Sequence, residues 1–287
     1  MLFFKWKGRQ LVSLHPRLGS VVVGCWNEAS TEEEFIARLE SRFLRDAAAL
    51  IKDNTLKEEA RKKLSDLERR GWVPLPSPSP KFPRRLRTAL PRGFPPLLFE
   101  KKLAERNSDI SKPAIGIVGS RNLTGEEKEF AYRAGMFAAE KGWVVFSGGA
   151  KGADRLGVSG AISQNGTGVH FLPGGENGFP FRASGLITAN PEAEVFDRLM
   201  ALERNRWIYA ASHAVLVVSS RFGEGGAWAG ALYAKRMRLS PIFVFMGKTP
   251  SSGNTALAKL GAIPVFDLND LECALQSLAS SSISLAI

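Results

Sequence analysis

The hydrophobic pattern of the chain changes character near residue 113. Beyond it, short continuous apolar runs alternate with stretches of helical period. AIGIVGS (114–120), WVVFSGG (143–149), GVHFLPGG (168–175), HAVLVVSS (213–220), SPIFVFMG (240–247) and AIPVF (262–266) are runs of strand length bounded by Gly, Ser or Pro, the mark of strands buried on both faces. Between them the spacing predicts helices over about 124–141, 153–164, 192–211, 225–237, 254–261 and 268–279. Thr124 and Glu127 form a capping-box pair at the start of the first. Strands separated by single helices make βαβ units, hence a parallel sheet with helices on both faces.

Before residue 113 the pattern is different. LFFKWKG and SVVVGCW read as two short strands. The stretch from Thr31 carries a helical stripe at Phe35, Ile36, Leu39, Phe43 and Leu44, with Thr31 and Glu34 as a second capping-box pair. A further helix is expected over 55–69. The proline-rich stretch WVPLPSPSPKFPRRLRTALPRGFPPLLFEKK (72–102) excludes a long helix or a central strand. It reads as an extended basic connector. Its apolar residues, Phe82, Leu86, Leu90, Phe94, Leu97, Leu98 and Phe99, predict that it packs on the following domain. The organisation expected is therefore a small α+β region over 1–75, the connector over 76–112, a Rossmann-like α/β domain over 113–280 and a frayed tail over 281–287.

Charge sharpens this division. The 39 Lys and Arg against 28 Asp and Glu leave a net charge of +11. Residues 1–112 hold 23 basic and 14 acidic side chains, a net of +9; residues 113–287 hold 16 and 14, a net of +2. A surplus of this size favours polyanionic partners. Cys25 and Cys273 lack metal-ligand spacing and read as reduced thiols of a cytoplasmic protein. The N-terminus lacks the apolar core of a signal peptide, and no apolar run has the length of a membrane span.

In open α/β sheets ligands bind beyond the carboxyl ends of the strands. Those ends are Gly119-Ser120-Arg121, Ser147-Gly148-Gly149-Ala150-Lys151-Gly152, Pro173-Gly174-Gly175 and Ser219-Ser220-Arg221 with Gly223 to Gly226. Glycine, serine and a nearby cation recur, and several loops lead into helix N-termini, where free N–H groups attract phosphate. Tight turns with solvated cations are the plainer account of any one of them; their convergence points to anion binding. Neither G-x-G-x-x-G nor a P-loop is present. Arg204, Asn205 and Arg206 sit on a helix, where Arg-x-Arg places the guanidiniums about 200° apart, so one can meet phosphate while the other pairs internally. Trp207 is either core or a stacking platform. His15, His170 and His213 read as structural. Asp154, Glu176 and Glu224 are isolated carboxylates. No catalytic constellation, metal site or cofactor motif emerges.

Taken in order, these pieces resemble the DNA-processing protein A family (DprA, also called Smf), over roughly 80–267. Its entry segments "YP-x-x-L" and "PP-x-L" are similar to Phe82 to Leu86 and Pro95 to Leu98. Its "IVGSR" is Ile117 to Arg121. Its "SGLARGID" resembles Ser147 to Asp154, its "RNRII" Arg204 to Ile208, its "SGSLxTAxxA" Gly225 to Ala234 and its "GxNxLIxxGA" Gly253 to Ala262. The resemblance implies an extended Rossmann-like fold and a homodimer. It also implies binding of single-stranded DNA and its delivery to the RecA recombinase in recombination or natural transformation, without a catalytic step. Carried over by position, with the loop glycines beside them, the DNA-binding residues would be Gly119, Ser120, Arg121, Ser147, Gly148, Gly149, Lys151, Gly174, Arg204, Asn205 and Arg206. The chain departs from the family at Val158-Ser159-Gly160 and at Thr188 to Pro191. The same superfamily holds nucleotide sensors and phosphoribohydrolases, so a nucleotide-binding or nucleotide-hydrolysing protein is the alternative. Leu172 to Glu176 is similar to the hydrolases' "PGG-x-GT-x-x-E", but Glu176 and Asn177 break that motif.

Overall fold

A computed structural model of the chain describes residues 30–41, 52–90, 93–103, 109–176 and 182–283. The two strands expected before residue 28 lie outside the described residues.

Among the described residues the chain begins with α1 (Glu32–Ser41) and α2 (Asn54–Arg69). Thr31 Oγ1 accepts the N–H of Glu34. The Glu34 carboxylate reaches back to the N–H of Ser30 rather than Thr31, so the box is displaced by one residue. Then follow β1 (Trp72–Pro76), α3 (Arg84–Ala89), β2 (Leu97–Lys102), β3 (Ala114–Val118), α4 (Gly125–Glu140), β4 (Val144–Ser147), α5 (Ala153–Ser163), β5 (Gly168–Leu172) and β6 (Gly185–Thr188). The chain continues through α6 (Arg198–Ala211), β7 (Ala214–Val217), α7 (Gly225–Arg236), β8 (Ile242–Phe245), α8 (Ser252–Lys259), β9 (Ile263–Val265) and α9 (Leu268–Ile283). The last helix runs into the stretch expected to fray.

The nine strands of the described residues form one sheet in the order β1-β2-β6-β5-β4-β3-β7-β8-β9. The strands from β6 to β9 are parallel, while β2 pairs antiparallel with β6 and β1 antiparallel with β2. The sheet is thus mixed, with a parallel Rossmann-like body. The proline-rich stretch does pack on the core, but as two strands and a helix of the same sheet rather than as a connector. Pro74 and Pro76 fall in the edge strand β1, where a missing N–H is tolerated. The proline-free segment 97–102 can therefore take the inner place beside β6. β6 itself escaped the sequence reading. Its four residues, GLIT, show a run too short to separate from the loop around them.

Alternation along the strands divides two cores. Ile115, Ile117, Val145, Leu216, Phe243 and Phe245 face α4, α5 and α9. Ala114, Val118, Phe146, Phe171, Val215, Val217 and Val244 face α3, α6 and α7. Burial on both faces explains why these strands read as unbroken apolar runs. Helices α4 and α5 touch nearly backbone to backbone. A Cβ on Gly160 would lie 2.0 Å from the carbonyl oxygen of Tyr132, so the family departure at this position is matched to its neighbour helix.

Candidate functional site

After β3 the chain steps through β4, β5 and β6 on one side, then returns to β7 on the other side of β3. The order reverses between β3 and β7, and that switch point opens a crevice at the carboxyl ends of the two strands. It holds a cavity of about 740 Å³. Its walls include Gly119 to Asn122 after β3, Ala150 and Asp154 at the start of α5, and Ser220, Arg221 and Gly223 to Ala227 leading into α7. One face of α6 closes it through Arg198, Ala201, Leu202, Asn205, Ile208 and Tyr209.

The loops are tied together beneath this cavity. The N–H of Ser120 donates to the carbonyl of Ser219 at 2.9 Å, joining the β3 and β7 loops. Asn254, fully buried on α8, donates to the carbonyls of Val217, Val218 and Phe245 and accepts from Ser220 Oγ at 2.8 Å. Asn254 therefore fastens the ends of β7 and β8. Ser147 is buried, and its hydroxyl donates to the carbonyl of Ile117 at 2.5 Å. The loop after β4 folds over the Asp154 carboxylate, which accepts the N–H groups of Gly148 (3.1 Å) and Ala150 (3.3 Å). Gly149 and Gly152 both have positive φ, at 74° and 91°.

Arg204 sits on the other side of Gly148. It is 8% exposed and donates through Nη1 to the carbonyls of Gly148 and Phe171. A Cβ on Gly148 would meet Arg204 Nη1 at 2.4 Å and Asp154 Oδ2 at 2.7 Å. Only a glycine fits between the two charges. Burial lowers the Arg204 guanidinium to about 10, with Asp154 working against the shift. Burial likewise pushes the Asp154 carboxyl up, opposed by Arg204 and the loop N–H groups.

The sequence-predicted site residues thus separate by placement. Gly119, Ser120, Arg121, Arg204 and Asn205 border the cavity. Arg121 and Lys151 are exposed. Ser147, Gly148 and Gly149 are buried beneath, as backbone support. Arg204 is the internally paired member of Arg-x-Arg; Arg206 is exposed and lies 4.5 Å over the Tyr233 ring. Gly174 is buried against the carbonyl of Ala193. Trp207 is 5% exposed and belongs to the core, so its stacking alternative falls away. Arg198 and Phe196 were missed. The broad helical reading of 192–211 hid the true start of α6 at the Asp197 cap, which turns Arg198 into the cavity.

His170 lies on β5 opposite Ser147. Burial, then the charges of Arg204 and Arg155, push it down to about 3. A histidine held below its unfolded value of 6.5 folds as the neutral ring. Its contribution is complete above pH 6.5 and is lost as pH falls toward 3. Near pH 5 the cost is about 2 kcal/mol. His213, pushed down to about 4 by burial and Arg85, acts in the same direction. Urea unfolding should therefore show lower stability at pH 5 than at pH 7.5, and His170→Gln should remove much of that difference. A pH-independent wild type would mean that His170 titrates normally in the fold.

Among the described residues no group of three or more His, Cys, Asp or Glu side chains could hold a metal, and no helix is long and apolar enough to cross a membrane.

Comparison with known proteins gives a family match. Residues 75–276 fit the family described as DNA recombination-mediator protein A. The chain is 29% identical over 218 residues to Protein Smf of Synechocystis, covering 66% of this chain and 54% of that protein. The chain thus spans about half the length of this curated relative. In fold it is similar to DNA processing protein A of Streptococcus pneumoniae (TM-score 0.64, 17% identity, 89% of this chain and 97% of that one). It is also similar to DNA processing protein A of Helicobacter pylori (TM-score 0.59, 18% identity, 72% and 96%), a structure described as showing a single-stranded DNA binding mode.

Proposed function

The chain belongs to the DNA recombination-mediator protein A family, and on that premise we propose that it binds single-stranded DNA through phosphates at the β3–β7 crevice. The observation that carries the reading is the cavity itself. Arg121, Arg198 and Arg221 border a space framed by exposed glycine backbone and by the N-terminus of α7. Backbone amides and cations at helix starts are suited to phosphate oxygens. The excess charge of residues 1–112 favours a long polyanion over a free nucleotide, which needs no surplus spread so widely. The single-stranded DNA binding described for the Helicobacter pylori protein supports the same ligand.

We further propose that the protein is a binding module rather than an enzyme, acting as a homodimer that hands the strand to the RecA recombinase. Each carboxylate that a hydrolase could use already has a partner, Asp154 and Glu224 at the cavity wall itself. Asp154 is enclosed with the loop amides, Glu176 pairs with Lys101 at 2.6 Å, and Glu224 lies 3.4 Å from Arg221.

Fluorescence anisotropy with labelled oligo-dT across a salt series tests the DNA reading, with duplex DNA and AMP as competitors. Tight single-strand binding with a log–log salt slope of several units is expected. Arg121→Ala and Lys151→Ala should each weaken binding to all sequences and reduce the slope by about 0.7. Unchanged affinity in both variants would remove these cations from the interface. Displacement by micromolar AMP would favour the nucleotide-binding alternative.

A further inference from the structure

The rim of the cavity carries aromatic and apolar side chains that the fold leaves bare. Phe196, just before α6, is 66% exposed and borders the cavity. Phe222, in the loop between β7 and α7, is 64% exposed. Its neighbours Arg221 and Gly223 both line the cavity, so the Phe222 loop is part of the same rim. Phe222 rests edge-to-face on Trp228, centroids 5.1 Å apart and planes at 62°. Trp228 is buried, so the phenylalanine is propped rather than loose. Leu202 adds a partly exposed apolar side chain to the cavity wall.

Single exposed apolar side chains are ordinary, but several grouped around one cavity mark a binding surface, and the surrounding chemistry selects the partner. Phe196 lines the cavity together with Arg121, Arg198 and Arg221, and Phe222 follows Arg221 in the same loop. A purely apolar partner would leave those cations without a counter-charge. A single strand needs both elements, because its phosphates take cations and its bases take flat apolar faces. A duplex hides its base faces within the stack, and inorganic phosphate has none.

We propose that Phe196 and Phe222 are base-stacking platforms, on which unpaired bases rest while their phosphates run along the arginines of the crevice. This rests on the phosphate reading of the same cavity and adds to it the discrimination of single strands from duplex. Stacking is indifferent to base identity, since every base has a π face. Selectivity for unpaired bases without sequence preference follows.

The test compares two ligands of equal charge and length, labelled oligo-dT and an abasic deoxyribose-phosphate chain, with full-length wild type, Phe196→Ala, Phe222→Ala and Phe222→Leu. Phe222→Leu keeps an apolar contact with Trp228 and removes only the ring face, which covers the case in which the alanine variant disturbs the loop. Wild type should prefer oligo-dT to the abasic chain. Each variant should lose about five- to a hundredfold in oligo-dT affinity, with unchanged abasic affinity and unchanged salt slope. Fluorescence of 2-aminopurine placed in the strand should be quenched by wild type and less by the variants. Equal wild-type affinity for both ligands would overturn the stacking role and leave the phosphate reading standing. Failure to bind either would overturn both. Unchanged oligo-dT affinity, with a change in the mass of the protein by sedimentation, would make the rim a protein–protein surface instead.

Discussion

Arg204→Met is expected to lower the unfolding free energy by about 3–5 kcal/mol, although Arg204 is a cation in a sequence motif that resembles a DNA-binding one. The guanidinium is buried and donates to the carbonyls of Gly148 and Phe171. Its removal strands the Asp154 carboxylate, which is enclosed and retains only the loop amides. Arg204 and Asp154 act on each other across Gly148 rather than through a direct bridge, and removing one of two buried opposite charges leaves the other uncompensated. The double variant Arg204→Met/Asp154→Asn should therefore lose much less than the sum of the single changes. Strict additivity would mean that the two charges do not interact. Burial already holds the Asp154 carboxyl up, and loss of the cation raises it further. A carboxyl whose folded value lies above its unfolded one loses stability as pH rises, so the deficit should be largest at neutral pH and shrink toward acid. Arg206→Ala is the control. It loses a contact with an aromatic face worth about 0.5–1 kcal/mol, and its stability should barely move. Urea unfolding of the four variants, scanned over pH, checks all of this.

Gly152→Ala should be of comparable severity, about 2–6 kcal/mol, from a change of one methyl group. Gly152 caps α5 with φ 91° and ψ −129°, a region that residues with a Cβ scarcely enter. A Cβ there would also lie 2.4 Å from the carbonyl oxygen of Ser120 and 2.7 Å from that of Arg121. These are backbone atoms and cannot swing aside. The Arg121 loop must move, so oligo-dT affinity should fall even where the fold survives. Gly125→Ala is the matched comparison, since nothing lies within 4 Å of its added methyl and its φ is not positive. Thermal unfolding that gives the same small shift for both variants would contradict the close approach of the two loops.

Several features of the site were legible because they rest on local rules. The capping box at Thr124 and Glu127 forms with both reciprocal bonds, because it involves residues three apart and no distant partner. The Arg-x-Arg geometry correctly separates an inner from an outer guanidinium, since helical spacing alone decides that they diverge. Spacing does not say which one is inner. That follows from α6 packing with its Arg204 face over the end of β4, beside Gly148, and its Arg206 face toward Tyr233 on α7. Trp207 was undecided for the same reason: an aromatic residue in a helix has no local signal that tells core from rim.

The amino-acid sequence by itself determined the βαβ alternation, the double-sided burial of the inner strands, the glycine loops at their carboxyl ends and the family to which they point. Each of these is written in period, punctuation or a contiguous motif. Tertiary structure alone decided the rest. It placed the proline-rich stretch in the sheet as β1 and β2, because only pairing partners show where a missing N–H is harmless. It located the order reversal at β3 and β7, and so chose which of four similar loops form one crevice. It turned Arg204 and Ser147 inward and Phe196 and Phe222 outward. These outcomes depend on contacts between residues tens to hundreds of positions apart, and a one-dimensional pattern carries no record of which distant residues meet.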